Sequence, residues 1–342
     1  MKRPVKVTIL GASGYTGIGL YRLCEAHPGV EIVAVSAERH AGKSLAEVFP
    51  QVSHAADVML VPIDEAIEAG ADVTFMCLPH GTTMNVVPRV IETGSTVIDL
   101  SADFRMDTPE SYHRWYDLDH VAPEYLSTKV YGLAEFNRDA IAGAKLIAVP
   151  GCYPTSVQIG LAPLLKAGLI KPDVVIVDSK SGVSGAGRNP SQKTHFVETN
   201  ENFRPYKVGR EHRHVGEMEQ ELTRAAGTDT CVIFSPHLVP MNQGILSSMY
   251  VDLAGDYSTD DLLACLHQAY DAERCIRVTD HLPETAFVRD TNYVDVSARV
   301  IEGTGKAAVF CAIDNLVKGA YGQALQCMNI ACGFDEYEGL PL

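Results

Sequence analysis

A chain of 342 residues, 46% hydrophobic and 21% charged, is long enough for about two domains with sizeable cores. Its composition is that of a globular protein, and no run approaches the roughly 20 apolar residues of a membrane span, so a membrane role is not expected. A formal net charge of −15 argues against general nucleic-acid binding and leaves room for a local anion site.

The nine cysteines, at 24, 77, 152, 231, 265, 275, 311, 327 and 332, are an odd number with no Cys-x-x-Cys pair. That pattern predicts reduced thiols and a cytoplasmic protein. No metal site is expected, because the close pair His212 and His214 lacks the spacing of the zinc signatures. Residues 1–10 place basic residues before apolar ones, yet Gly11 interrupts the run too early for a signal peptide. A first strand is the better reading.

That strand, Val5 to Leu10, runs into Gly11-Ala-Ser-Gly-Tyr-Thr-Gly17 and then a helix through Leu20, Leu23 and Cys24. Glycines three apart at a strand-to-helix turn let backbone amides approach a pyrophosphate. A second strand, Glu31 to Val35, ends in Ser36-Ala-Glu-Arg-His40. An NAD-selective site keeps an acid at this strand end, whereas small and basic residues suit the 2′-phosphate of NADP. Ser36 and Arg39 favour NADP and Glu38 pulls the other way. Asp72 to Leu78 is a buried strand whose loop carries Pro79 and His80, at the carboxyl end where open α/β sheets bind ligands. Thr96 to Leu100 delivers Ser101-Ala-Asp-Phe-Arg105, and Arg105 is either a bidentate anion grip or a structural ion pair. Residues 108–135, rich in aromatics, read as a partly helical excursion.

Lys145 to Val149 is a further strand, followed by Pro150-Gly-Cys-Tyr-Pro-Thr155 and a helix with Val157, Leu161, Leu164 and Leu165 at helical spacing. Cys152 thus falls at a helix start, where unpaired amides favour a nucleophilic thiolate; the alternative is an inert core cysteine. Asp173 to Asp178 is a strand opening into a glycine-dense loop from Ser179 to Arg188 that could cradle an anion or be a mere connection. Gly209-Arg-Glu-His-Arg-His214 then leads into a helix with Met218, Leu222 and Ala225. A histidine here could serve the thiol as acid and base, with neighbouring arginines for a phosphoryl group. Segments 231–234, 245–253, 293–300 and 307–313 suggest a substantial mixed or antiparallel sheet with a face to cover, with Thr259 to Tyr270 an amphipathic helix among them. The end of the chain, from Asn315 to Asn329, reads as a glycine-punctuated helix.

These motifs together resemble the N-acetyl-gamma-glutamyl-phosphate reductase family, within the aspartate-semialdehyde dehydrogenase superfamily. The resemblance rests on Gly11 to Gly17, Asp99 to Arg105, Pro150 to Thr155, Ser181 to Arg188, His212-Arg-His214 and Asn315 to Gln323. It implies an α/β fold: a Rossmann domain from residues 1–151 and 315–342, with an inserted α+β catalytic and dimerisation domain, 152–314, built on a large mixed sheet. It also implies a homodimer or homotetramer, NADPH as cofactor, and a small-molecule acyl phosphate as substrate. Cys152 would form a thioacyl enzyme, with His212, favoured over His214 by the motif, as acid/base. Cofactor contacts are implied for Gly11, Ser13, Gly14, Tyr15, Thr16, Gly17, Ser36, Arg39, Leu78, Pro79, His80, Ser181, Gly182 and Asn315. Substrate contacts are implied for Ser101, Arg105, Arg188, Arg213 and His214. The rival readings are a reductase of carrier-protein-linked aminoadipyl phosphate in lysine synthesis, a glyceraldehyde-phosphate or aspartate-semialdehyde dehydrogenase, and a noncatalytic NADP-binding sensor.

Overall fold

The computed structural model describes residues 3–342; Met1 and Lys2, which belong to the segment read as leading into the first strand, lie outside the described residues. Two compact units divide the chain. One runs to Pro150 and resumes over Ala320–Leu340, and the other is Gly151–Gly319 with Pro341–Leu342.

The first unit holds seven strands: β1 (Val5–Leu10), β2 (Val30–Ser36), β3 (Leu60–Val61), β4 (Val73–Met76), β5 (Thr96–Asp99), β6 (Val130–Tyr131) and β7 (Leu146–Ala148). They pair in the order β3-β2-β1-β4-β5-β7-β6, every pairing parallel. The strand order reverses beside β1, the position at which doubly wound sheets open a ligand crevice. A parallel strand covered on both faces must be apolar throughout, and β4, Val-Thr-Phe-Met, is buried at every position. Two apolar clusters serve this sheet. One joins Val7, Ile9 and Leu20 to Leu325 and Met328 of the helix Gly322–Cys332, and the other joins Leu10, Met76, Val87, Phe104 and Tyr112.

In the second unit, β8 (Val174–Ser181), β9 (Arg204–Pro205), β10 (Cys231–Leu238), β11 (Ile245–Asp252), β12 (Ile276–Val278), β13 (Val294–Ile301) and β14 (Lys306–Ile313) form a mixed sheet in the order β12-β13-β14-β11-β8-β10-β9. Along β8 and β10 buried residues alternate with more exposed ones, the pattern of a sheet with one face packed on the core. The covering element is the helix Cys152–Lys166, buried continuously from Tyr153 to Leu165, which packs on β11, β14 and the helix His214–Ala226. A helix apolar all round is a core helix, and this one holds Cys152 at its first turn.

Two segments differ from the sequence reading, and a third, read as partly helical, gains detail. The excursion after residue 108 contains the helices Pro109–Tyr116 and Ala134–Ile141 and the short strand β6. Strand β8 continues to Ser181, so the residues read as the start of a loop are extended backbone. The last motif is a π-helical turn, Val317–Tyr321, followed by the helix Gly322–Cys332, and the boundary between the units falls within that turn. Among the described residues no helix is long and apolar enough to cross a membrane, and no group of three or more His, Cys, Asp or Glu is placed to hold a metal ion.

Candidate active site

In the second unit, Gly151 is the N-cap of the Cys152 helix, with extended backbone and no side-chain cap, and the first turn carries no acid. The amides of that turn are left to favour negative charge. Gly151 N donates to Glu217 Oε1 at 2.8 Å, and Glu217 is fully buried. A carboxylate on a helix 66 residues away in sequence therefore fixes the backbone just ahead of the thiol. The π-helical turn makes a second contact: a Cβ on Gly319 would lie 2.8 Å from Cys152 Cβ, so only glycine lets that backbone come so close.

Around Tyr153, next to the thiol, the aromatic side chains close in edge to face. Its ring centroid lies 5.5 Å from His212, 5.9 Å from His214 and 5.1 Å from Phe234, and the two histidine rings are 4.8 Å apart. His214 N donates to His212 Nδ1 at 3.2 Å. Accepting at Nδ1 places the proton of a neutral ring on Nε2. Burial, with Lys207 and Arg213 adding to it, lowers the His212 pKa to about 3, so the ring is neutral at physiological pH. Because the unfolded chain takes up that proton near pH 6.5 and the folded ring refuses it, stability falls as pH drops below 6.5, by up to about 2 kcal/mol at pH 5. A His212→Asn variant should show a shallower loss of Tm between pH 7 and pH 5 than the parent protein in a thermal melt series. Parallel curves would show that the ring is not held neutral.

Lys207, Tyr206 and Glu217 belong to this site and escaped the sequence reading. Lys207 has left-handed backbone (φ 47°), and burial together with the Arg213 guanidinium lowers its pKa. Tyr206 Oη lies 2.9 Å from Tyr153 Oη, and its ring is 5.6 Å from His212. Arg213 is the residue from which the His214 helix starts. Arg188, by contrast, is exposed in the segment beyond the 3-10 turn Val183–Ala186. Ser181 and Asn315 are nearly buried. Asn315 accepts from Gly244 N at 2.7 Å and donates to Ser184 Oγ at 3.1 Å, so its amide ties two loops together.

In the first unit the turn after β1 has the shape a dinucleotide phosphate needs. Gly11 has φ 88°, Gly14 is an extended N-cap with no side-chain cap, and no acid occupies the first turn of the helix Tyr15–Ala26. Ser13 and Thr16 are partly buried and Tyr15 is 41% exposed along that turn. These residues fit a nicotinamide dinucleotide, whose phosphates the helix amides would hold. Pro79 and His80 are exposed and Leu78 half-buried; His80 Nδ1 accepts from Ala102 N at 2.9 Å, which places the proton of a neutral ring on Nε2. Asp103 holds that loop by accepting from Gly81 N at 2.7 Å and Met84 N at 3.0 Å.

Other expectations change on contact with the geometry. Arg105, expected to grip a substrate carboxylate, is 5% exposed and donates to the carbonyls of Val149 at 2.7 Å and Leu100 at 3.1 Å. It clamps the strand end that leads toward Cys152. Ser101 is buried, its amide and hydroxyl both donating to Asp99, whose own pKa is pushed up to about 7 by burial and by Asp103. Ser36 is fully buried and its hydroxyl accepts from Gly11 N, so it supports the glycine turn. Glu38 accepts from Ile63 N at 2.7 Å, and Arg39 beside it is exposed.

Comparison with known proteins follows the same division. Residues 6–144 match the family described as semialdehyde dehydrogenase, NAD binding domain, and residues 152–315 match semialdehyde dehydrogenase, dimerisation domain. The N-acetyl-gamma-glutamyl-phosphate reductase of Desulfotalea psychrophila is 47% identical over 99% of this chain and 98% of its own, and that of Geobacter sp. (strain M21) is 47% identical over the same shares. The chain belongs to the N-acetyl-gamma-glutamyl-phosphate reductase family. For a member of this family the two-unit architecture has wide precedent. Aspartate semialdehyde dehydrogenase II from Vibrio cholerae, solved with ASA, superposes with a TM-score of 0.74 at 18% identity over 97% of this chain and 99% of its own. The Candida albicans aspartate semialdehyde dehydrogenase solved with NADP gives 0.69 at 19% identity, over 96% and 98%. At such identities the likeness is one of fold, and the reductase family supplies the chemistry to be tested.

Proposed function

We propose that this chain reduces N-acetyl-L-glutamyl 5-phosphate to N-acetyl-L-glutamate 5-semialdehyde and inorganic phosphate, a step of arginine biosynthesis, with Cys152 as nucleophile and NADPH as reductant. One observation carries the chemistry: a thiol on an uncapped helix turn, followed by Tyr153, whose ring packs on a histidine whose backbone partner leaves a proton on Nε2. The 46–47% identity to reductases of that name, nearly end to end, supports the substrate. Cys152 Sγ attacks the acyl carbonyl carbon, the C–S bond forms, and phosphate leaves with the electron pair of its C–O bond. NADPH, when bound, supplies hydride to the resulting thioester carbonyl. Neutral His212 hydrogen-bonds the carbonyl oxygen through Nε2–H, as a fixed dipole and not as a strong acid, and collapse of the sulfur adduct returns the thiolate. Arg213 and Lys207 are the cations at hand for the phosphate or the substrate carboxylate.

NADP selectivity follows from three side chains. Ser36 supports the turn, Glu38 is turned away to Ile63 N, and Arg39 is left to meet the 2′-phosphate. Arg39→Ala should lower kcat/KM for NADPH by roughly 10–100-fold, the worth of a charge-assisted contact, with little change for NADH. Equal losses with both cofactors would assign Arg39 another role. The subunit contact is proposed on the uncovered face of the mixed sheet, where Ile233, Ile176 and Tyr250 share one register row across β10, β8 and β11 and are 50%, 44% and 38% exposed. A second copy of the chain would cover that row, as a homodimer or a dimer of dimers. A cytoplasmic setting suits nine cysteines among which no disulfide is formed.

The deciding assay follows phosphate-dependent reduction of NADP with N-acetylglutamate semialdehyde, alongside carrier-linked aminoadipate semialdehyde and aspartate semialdehyde. Turnover confined to the first supports the assignment, and preference for either of the others overturns it.

A further inference from the structure

Neutral His212 offers one donor to the reacting oxygen, whereas enzymes that pass through an oxyanion generally aim more than one fixed donor at it. Tyr206 has the placement for another. It follows directly on β9, whose pairing with β10 fixes the backbone up to Pro205, and its own amide donates to Pro236 O at 3.0 Å. Beyond it, Lys207, Gly209 and Arg210 all have left-handed backbone, and this sequence of turns folds the loop back so that the Tyr206 and His212 rings meet at 5.6 Å. The phenol is anchored from behind by Tyr153 Oη at 2.9 Å, and Tyr153, the residue after the nucleophile, is 3% exposed.

We propose that Tyr206 is a catalytic residue whose O–H donates to the oxyanion formed when Cys152 Sγ adds to the acyl carbonyl, alongside His212 Nε2–H. The inference rests on the thioacyl reading given above. In this step the C–S bond forms and the carbonyl π pair moves onto oxygen. Its return re-forms the carbonyl and breaks the C–O bond to phosphate, which departs with the electron pair of that bond, and Tyr206 keeps its proton throughout. Tyr153 is a positioning residue: a carbonyl oxygen placed before Tyr206 selects the arrangement in which Tyr153 donates to Tyr206 and Tyr206 donates outward. Each hydroxyl can rotate to this arrangement, and the linked bonds reinforce one another. Burial pushes the pKa of both phenols up, so both keep the hydrogens that donation requires.

The test separates oxyanion formation from thiol reactivity. Wild type, Tyr206→Phe and Tyr153→Phe are mixed with N-acetylglutamyl phosphate without reductant, and phosphate release and the mass of acylated Cys152 are followed over a single turnover. In parallel Cys152 is alkylated with iodoacetamide, a displacement at saturated carbon that forms no oxyanion. Tyr206→Phe is expected to acylate about 10²-fold more slowly and to alkylate within about twofold of wild type, with Tyr153→Phe showing a smaller acylation defect and normal alkylation. Acylation of Tyr206→Phe within about threefold of wild type overturns the proposal, as does an alkylation rate that falls in proportion. A wild type that releases no phosphate overturns the substrate reading and the proposal with it, whereas one that acylates normally beside an equally active Tyr206→Phe overturns the tyrosine role alone.

Discussion

Cys152→Ser is expected to lower phosphate-dependent reduction of NADP by at least about 10³-fold, with the melting temperature close to that of the parent chain. The physical reason lies in the neighbouring histidine. A serine nucleophile needs a base to take its proton, and a thiol relies on the small fraction already ionised. His212, with a pKa lowered to about 3 by burial and by Lys207 and Arg213, is a poor base. The same surroundings that suit a thiolate therefore leave a serine hydroxyl unactivated. Alkylation supplies a control that turnover does not: rapid iodoacetamide uptake at neutral pH should vanish in the variant. Among the other thiols burial pushes Cys24, Cys77 and Cys311 well up and Cys332 to about 11, whereas Cys231 is exposed, so uptake is read at residue 152 by peptide mass. Near-parental turnover by the serine variant would remove the covalent mechanism altogether.

What the sequence made legible tracks the range of the interactions involved. The strand Val5 to Leu10, the glycine turn and the Cys152 helix were readable because period, punctuation and breaker residues are local signals. Strands β6 and β12, two and three residues long, carry no period to read. The π-helical turn was hidden in an ordinary helical pattern, and its necessity shows only when Gly319 meets Cys152. Roles were harder than positions. Arg105 looks alike in sequence whether its fork meets a substrate or backbone carbonyls, and only the folded chain shows that it is buried and donates to the carbonyls of Val149 and Leu100. Glu217 and Tyr206 reach the neighbourhood of the thiol only through tertiary packing. Glu38 blurred the cofactor reading because sequence does not say where a carboxylate points; its bond to Ile63 N gives the direction.

The glycine turn yields the second large effect, through a pair of substitutions that separates shape from occupancy. At Gly11 the backbone has φ 88°, and an added Cβ would sit 2.4 Å from Cys77 O and 2.8 Å from Cys77 C, main-chain atoms that follow β4. Gly11→Ala therefore combines left-handed strain with a clash that no rotamer relieves, together about 3 kcal/mol or more. A Tm lower by roughly 5–10 °C is expected for a unit of this size. NADPH binding should be lost with it, because relief of the clash moves the amides of the turn away from Ser36 and out of register with the phosphates. Gly14 differs in both respects. It has φ −85°, and the nearest atom to an added Cβ is Gly11 O at 4.0 Å. Gly14→Ala should melt like the parent chain, yet its methyl enters the space above the turn where a pyrophosphate would lie, so NADPH affinity should fall by at least about tenfold. Thermal melts and fluorescence titration with NADPH read the two effects separately. A Gly14→Ala variant that binds NADPH as tightly as the parent would move the phosphate site off this turn, and a Gly11→Ala variant of unchanged Tm would mean that β1 and β4 can part there without cost.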